Sequence, residues 1–167
     1  MRVFVTGGTG AIGRHAVPAL VAAGHTVTAL ARTPERAANL TAAGARPVSV
    51  SLFDRDALAR EFAGHDAIAN LASALPRTRQ FMSRRAWQRN DEVRIEGSAA
   101  VVDAAIAAGV ERVVQESVVM MYRDGGSEWI DETTPTDQFP IARANHAAEA
   151  NTARFSAAGR VGVVLRL

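Results

Sequence analysis

At 167 residues the chain has the length of one domain and can bury a core without staples; its lack of cysteine excludes a thiol nucleophile, a disulfide framework and a cysteine-ligated metal. The formal net charge is only +2, with arginine as the abundant base, whereas a nucleic-acid binder would concentrate basic charge in a stripe. No apolar run is long enough to span a bilayer and no leader precedes the first strand pattern, so the expectation is a soluble, cytoplasmic protein with neither a membrane nor a nucleic acid as partner.

Strand and helix patterns alternate along the chain. "RVFVT" (Arg2 to Thr6) is a short β-branched run, followed by glycines and by "AIGRHAVPALVAAG", whose helical spacing stops at Gly24. "HTVTALA" is a second strand, and "TPERAANLTAAG" a helix with Thr33 as N-cap and Pro34 in the first helical position. "RPVSVS" is a third strand, "DRDALAREFAG" a short helix and "HDAIANLAS" a fourth strand. One long helix is predicted from about Arg84 to Ala108, then a strand in "ERVVQES", a helix in "IARANHAAEANTARFSAAG" and a sixth strand in "RVGVVLRL". Met121 to Pro140 reads as a long loop, of a length that in compact domains often serves function. Such alternation, with strands apolar enough for burial on both faces, predicts an α/β fold: a doubly wound parallel sheet of Rossmann type, strand order 3-2-1-4-5-6. The apolar last strand also leads us to expect that the chain is a piece of a longer protein.

The strongest motif is "TGGTGAIG" (Thr6 to Gly13), which follows a strand and opens a helix. Gly7 permits the tight turn, Gly10 lets backbone approach a pyrophosphate, and Gly13 allows helix to pack closely on strand; the helix N-terminus offers free N–H groups to the phosphates. An NAD-preferring site would carry a carboxylate at the end of the second strand. Here Ala31 is followed by Arg32, whose guanidinium suits a 2'-phosphate, so NADP is the expected cofactor rather than NAD. The densest basic run, "RTRQFMSRRAWQR" (Arg77 to Arg89), reads as an exposed loop leading into a helix, or else as a surface for an anionic substrate or partner.

"TGGTGAIG", "NLAS" after the fourth strand and "GVERVVQESVVMMYRDG" around the fifth together resemble the NAD(P)-dependent epimerase/dehydratase family of the short-chain dehydrogenase/reductases, extended or atypical. The resemblance covers the whole chain. It implies pyrophosphate contacts from Thr9, Gly10, Ala11 and Ile12, adenine contacts from Ser51 and Leu52, and ribose contacts from Leu71, Ala72 and Ser73. It also implies a smaller C-terminal substrate lobe, expected to be absent from this chain, and a homodimer formed through the long helix.

The catalytic positions depart from the family's pattern. Its Tyr-x-x-x-Lys pair falls on Ile141 and Asn145, its serine on Val118 and its asparagine on Arg94. Candidate replacements are Ser117, next to the lost serine; Tyr122, the only tyrosine; and Arg94 as a group for an anionic substrate or the ribose. Arg94 as a surface charge, Tyr122 as a packed aromatic and Glu116 as an acid or base if buried are the other readings. His146 and Glu149 fit a pair on one helix face. His15, His25 and His65 show no metal-ligand spacing, and "SEWIDE" (Ser127 to Glu132) lacks partner ligands, so no metal site is predicted. The expected function is NADP(H)-dependent oxidation, reduction or epimerisation of a small carbonyl or hydroxyl compound, with a sugar nucleotide among the options; the rival is a non-catalytic NADP(H) sensor.

Overall fold

The structure is a computed structural model describing residues 1–76, 78–81, 83–140 and 142–167, with the Arg84 side chain also outside the description. Six parallel strands form one sheet in the order β3-β2-β1-β4-β5-β6. They are β1 (Arg2–Thr6), β2 (Thr26–Leu30), β3 (Arg46–Val48), β4 (Ala67–Asn70), β5 (Arg112–Ser117) and β6 (Val161–Arg166). The helices between them are α1 (Gly13–Ala22), α2 (Pro34–Ala42), α3 (Arg55–Phe62), α4 (Arg84–Glu92), α5 (Ser98–Ala107) and α6 (Arg143–Ala157). The predicted strand order and Rossmann topology are what the molecule has.

Alternation along the strands sorts the core into two layers. In β1, Val3 and Val5 pack with Val17 and Leu40 from α1 and α2, while Phe4 points to the other face and packs with Phe62, Val101 and Phe155 from α3, α5 and α6. Local signals fix the helix starts. Thr33 Oγ1 accepts from the Arg36 N–H at 3.3 Å and Asp54 Oδ1 from the Ala57 N–H at 2.9 Å, with Pro34 at the start of α2.

Two expectations change. The single helix from Arg84 to Ala108 is broken by a wide π turn, Val93–Gly97, between α4 and α5. Ser98 Oγ donates back to the Arg94 carbonyl, and Asn151 Nδ2 reaches the Ile95 carbonyl at 3.3 Å, so side chains bond two carbonyls of the widened turn. A Cβ on Gly97 would stand 2.8 Å from Leu52 Cδ2, so the Leu52 side chain would have to shift to admit it. The sixth strand is the second change: β6 is an edge strand, covered by α6 on one face, with Val161, Val163 and Leu165 exposed. Among the described residues no helix is long and apolar enough to cross a membrane.

Candidate functional site: a nucleotide cleft

After β1 the chain turns back through α1 to β2 on one side, and β4 is followed by α4 and α5 leading to β5 on the other. A cleft opens at the carboxyl ends of the strands where these connections diverge, the usual ligand position in such sheets. Its floor is the glycine loop. Gly7 has φ +68°, and a Cβ on it would lie 2.4 Å from the Leu71 carbonyl oxygen; the Gly10 N–H closes the turn by donating to the Gly7 carbonyl at 2.9 Å. Thr9 and Gly10 line the cleft from the loop, Ser51, Leu52 and Phe53 from the segment after β3, and Leu71, Ala72 and Ser73 from the segment after β4. Ala11, Ile12 and Gly13 are not among the lining residues. Gly13 is buried against the loop, with room for no side chain beside the Gly7 carbonyl, and Ile12 packs on the α1 side of the core.

Three guanidinium groups meet at the mouth of this cleft. Arg32 stands just past β2, Arg36 one helical turn later on α2, and Arg89 on α4. Burial and the positive charges of Arg36 and Arg89 all push the Arg32 guanidinium below its usual pKa. Among the described residues neither Arg32 nor Arg36 pairs with a carboxylate; Arg89 pairs with Glu92 and lies over the Phe53 ring, 5.1 Å from its centroid. Sequence reasoning singles out Arg32, has Arg89 only as the last residue of the basic run Arg77 to Arg89, and misses Arg36, which is legible four residues downstream on a capped helix. That Arg89 reaches the same cleft is decided by the fold.

Residues 7–157 match the NAD(P)H-binding family. The chain belongs to that family. This NAD(P)H-binding chain is 35 % identical over 146 residues to the 4-hydroxy-2-methyl-3-oxo-4-farnesyl-3,4-dihydroquinoline-1-oxide ketoreductase of Stigmatella aurantiaca, covering 85 % of itself and 41 % of the relative. It is 36 % identical over 137 residues to the 3-diazoavenalumate denitrifying reductase of a Streptomyces species, covering 81 % of itself and 43 % of the relative. Among solved structures it resembles a UDP-glucose 4-epimerase from Stenotrophomonas maltophila with bound NAD and formylated UDP-arabinopyranose. That match has TM-score 0.82 and 27 % identity, covering 99 % of this chain and 52 % of the other. The chain thus spans about half or less of the length of these relatives, and the epimerase/dehydratase resemblance of the sequence holds in three dimensions.

None of the three catalytic candidates, Arg94, Ser117 and Tyr122, lines this cleft. Arg94 is no surface charge. It is 1 % exposed, its Nη2 bonds both Glu116 carboxylate oxygens at 2.9 and 2.7 Å, and its Nη1 bonds the Glu116 carbonyl at 3.2 Å. Glu116, buried as the acid/base reading required, is bound to that guanidinium rather than presented to a substrate. Ser117 is fully buried, its hydroxyl donating to Glu149 at 2.6 Å. Tyr122 lies under the Arg166 guanidinium, 4.7 Å from ring centroid to carbon, beside a second cleft lined by Ile130, Glu132 and Leu165. Of the family's pair positions, Asn145 is buried on α6, while Ile141 lies outside the described residues, as do Arg77 and Met82 of the basic run.

Nor do His146 and Glu149 form a surface pair. Arg166 holds Glu149 through two bonds of 2.9 and 2.8 Å, and His146 Nε2 is 3.0 Å from the Asp137 carbonyl oxygen. Burial alone would raise the Glu149 pKa. Bonds from Arg166 and Ser117, with the charges of Arg166 and His146, outweigh it and leave the carboxyl below its usual range. A depressed carboxyl pKa adds stability that is present above the unfolded value of about 4.3 and is lost as pH falls through the folded one. Thermal melts from pH 7 to 3 are therefore expected to show the wild type losing its advantage over Glu149→Gln below about pH 4.3; parallel curves would refute the coupling.

Proposed function

We propose that this chain is the NADPH-binding part of a reductase that delivers hydride to a small electrophilic acceptor, a carbonyl compound being the first choice. The observation that carries this reading is the cleft itself: a glycine loop shaped for a pyrophosphate, joined to an arginine cluster with no carboxylate at the end of β2. The donor set fits NADPH. A Cβ at Gly7 or Gly13 would collide with backbone, so the loop keeps its bare N–H groups near the cleft, and the guanidiniums match the phosphate that distinguishes NADP from NAD. When bound, the nicotinamide supplies the hydride. The chain's own residues bind and orient: the loop holds the pyrophosphate, Leu52 and Phe53 wall the adenine, and Ala72 and Ser73 flank the ribose nearer the reacting end.

Two relatives with unlike substrates, a quinoline-oxide ketoreductase and a denitrifying reductase, support reduction as the common step and an acceptor chosen outside the cofactor cleft. Reduction of a neutral carbonyl also needs a proton at oxygen. Arg94 and Ser117 are committed to Glu116 and Glu149, which makes them positioning groups, and Tyr122, partly exposed beside its own cleft, is the remaining donor of the three. A second reading, a sensor of NADP(H) without turnover, is favoured by the same burial of Arg94 and Ser117. Stereospecific hydride exchange from labelled NADPH separates the two readings.

The direct test is calorimetric titration of NADPH and NADH into the chain and its Arg32→Ala variant. Loss of a charge-assisted bond of about 1.5–3 kcal/mol corresponds to about a 10- to 150-fold change. NADPH is expected to bind more tightly than NADH by that order, and the variant to lose most of the difference. Equal affinity of wild type for both nucleotides would overturn the NADPH reading.

A further inference from the structure

Arg89 stands apart from the other two cations. Arg32 and Arg36 come from the β2–α2 corner, where the end of β2 advertises cofactor preference, whereas Arg89 comes from α4 on the opposite wall. Arg89 and Arg32 line the same cleft, and the positive charge of Arg89 helps hold the Arg32 guanidinium below its usual pKa. It is half exposed and held at two points, by Glu92 three residues later on the same helix and by the face of Phe53, which lines the cleft after β3. The start of α4 is fixed by aromatic packing: Phe81 and Trp87 meet edge to face at 5.0 Å, and Trp87 Nε1 donates to the Phe81 carbonyl at 2.7 Å.

Charge arithmetic gives this arrangement a purpose. A phosphate monoester carries about −1.5 to −2 charges near pH 7, while the cleft mouth gathers three positive groups of which, among the described residues, only one has a carboxylate partner. Without an anion the three repel one another. An anion between the walls would remove that repulsion and give Arg89 a better partner than an exposed neighbour on its own helix.

We propose that Arg89 is a specificity-determining residue that grips the nucleotide's 2'-phosphate from the α4 side while stacked on Phe53, exchanging Glu92 for the phosphate. This rests on the NADPH reading and extends it: preference is set by both walls of the cleft, and Glu92 is a built-in competitor.

The test needs no turnover. Adenosine 2',5'-bisphosphate and adenosine 5'-monophosphate differ only in the 2'-phosphate, and both are titrated calorimetrically into wild type, Arg89→Gln, Arg89→Lys and Glu92→Gln. Arg89→Gln is expected to weaken the bisphosphate about tenfold or more while moving the monophosphate less than about twofold. Arg89→Lys should recover part of the loss, since it restores charge without the fork, and Glu92→Gln should tighten the bisphosphate only. Equal weakening of both ligands by Arg89→Gln would reduce Arg89 to an adenine stack, and no weakening of either would leave it a surface pair; each overturns the proposal. If wild type itself does not distinguish the two ligands, the NADPH reading falls as well. If wild type distinguishes them and Arg89→Gln does so equally, only the role of Arg89 falls.

Discussion

Glu116→Ala is expected to cost about 3–5 kcal/mol of folding free energy, because it strands a buried cation. Arg94 sits in the π turn with 1 % exposure, and among the described residues its Nε already has no hydrogen-bond partner. The two terminal nitrogens are bonded to Glu116, and removing the carboxylate leaves a full charge where water cannot follow. The damage would spread. Thr6, Asn70 and Gln115 lie side by side across β1, β4 and β5, and their side chains form one hydrogen-bonded row: Thr6 donates to Asn70, Asn70 Nδ2 to Gln115 at 2.7 Å, and Gln115 Nε2 to the Glu116 carbonyl at 2.8 Å. Arg94 binds that same carbonyl, so the pair anchors a row that ends at Thr6, in the wall of the nucleotide cleft. Urea denaturation followed by circular dichroism measures the loss. The double variant Arg94→Met with Glu116→Leu should recover most of it, since a buried ion pair contributes little net stability beyond an apolar pair of similar volume. A loss below about 1 kcal/mol in Glu116→Ala would mean that solvent reaches the guanidinium.

This pair also marks where sequence reading stops. The sheet order is legible because β-branched runs and helical spacings alternate, and the glycine loop because Gly7, Gly10 and Gly13 follow a strand and open a helix. Thr33 and Pro34 announce α2 through purely local chemistry. Arg94 reads as a surface charge because arginine on a helix is usually solvated, although it lies one turn after buried Asn90 and next to buried Val93, on the face the helical period turns inward. What the sequence does not show is its partner, Glu116, which β5 brings to it. Glu149 misleads in the same way. Its neighbour His146 is three residues away, but its partner Arg166 comes from β6 and its donor Ser117 from β5, contacts that only the closed sheet creates. The residues that line the cleft are mostly visible for the converse reason. Strand ends in this topology fall at one edge, so naming the ends of β1, β2, β3 and β4 is enough to name much of the cleft. Ala11, Ile12 and Gly13 fall outside the lining because the loop has already turned into α1 by then.

Gly7→Ala is expected to abolish measurable NADPH binding and to destabilise the fold by about 2–4 kcal/mol, the sum of two penalties. The left-handed backbone at φ +68° disfavours any residue with a Cβ, and that Cβ would lie 2.4 Å from the Leu71 carbonyl oxygen. The obstacle is backbone, so no rotamer change relieves it. Leu71 also donates its own N–H to the Thr6 carbonyl at 3.2 Å, and pushing it away opens the pairing of β1 and β4 beneath the cleft. Two other glycines separate the penalties. Gly24 has φ +80° and open space for 4 Å around the point a Cβ would occupy, so Gly24→Ala should show the conformational cost alone, about 1–2 kcal/mol with cofactor binding intact. Gly10 has an ordinary φ and only the Gly7 oxygen nearby at 3.1 Å, so Gly10→Ala should fold nearly normally and lose affinity, because its Cβ enters the cleft. Thermal melts and NADPH titrations on the three variants read both quantities. Should Gly7→Ala resemble Gly24→Ala in both, the loop would have slack that the Leu71 contact denies, and the tight cradle on which the nucleotide site is built would have to be abandoned.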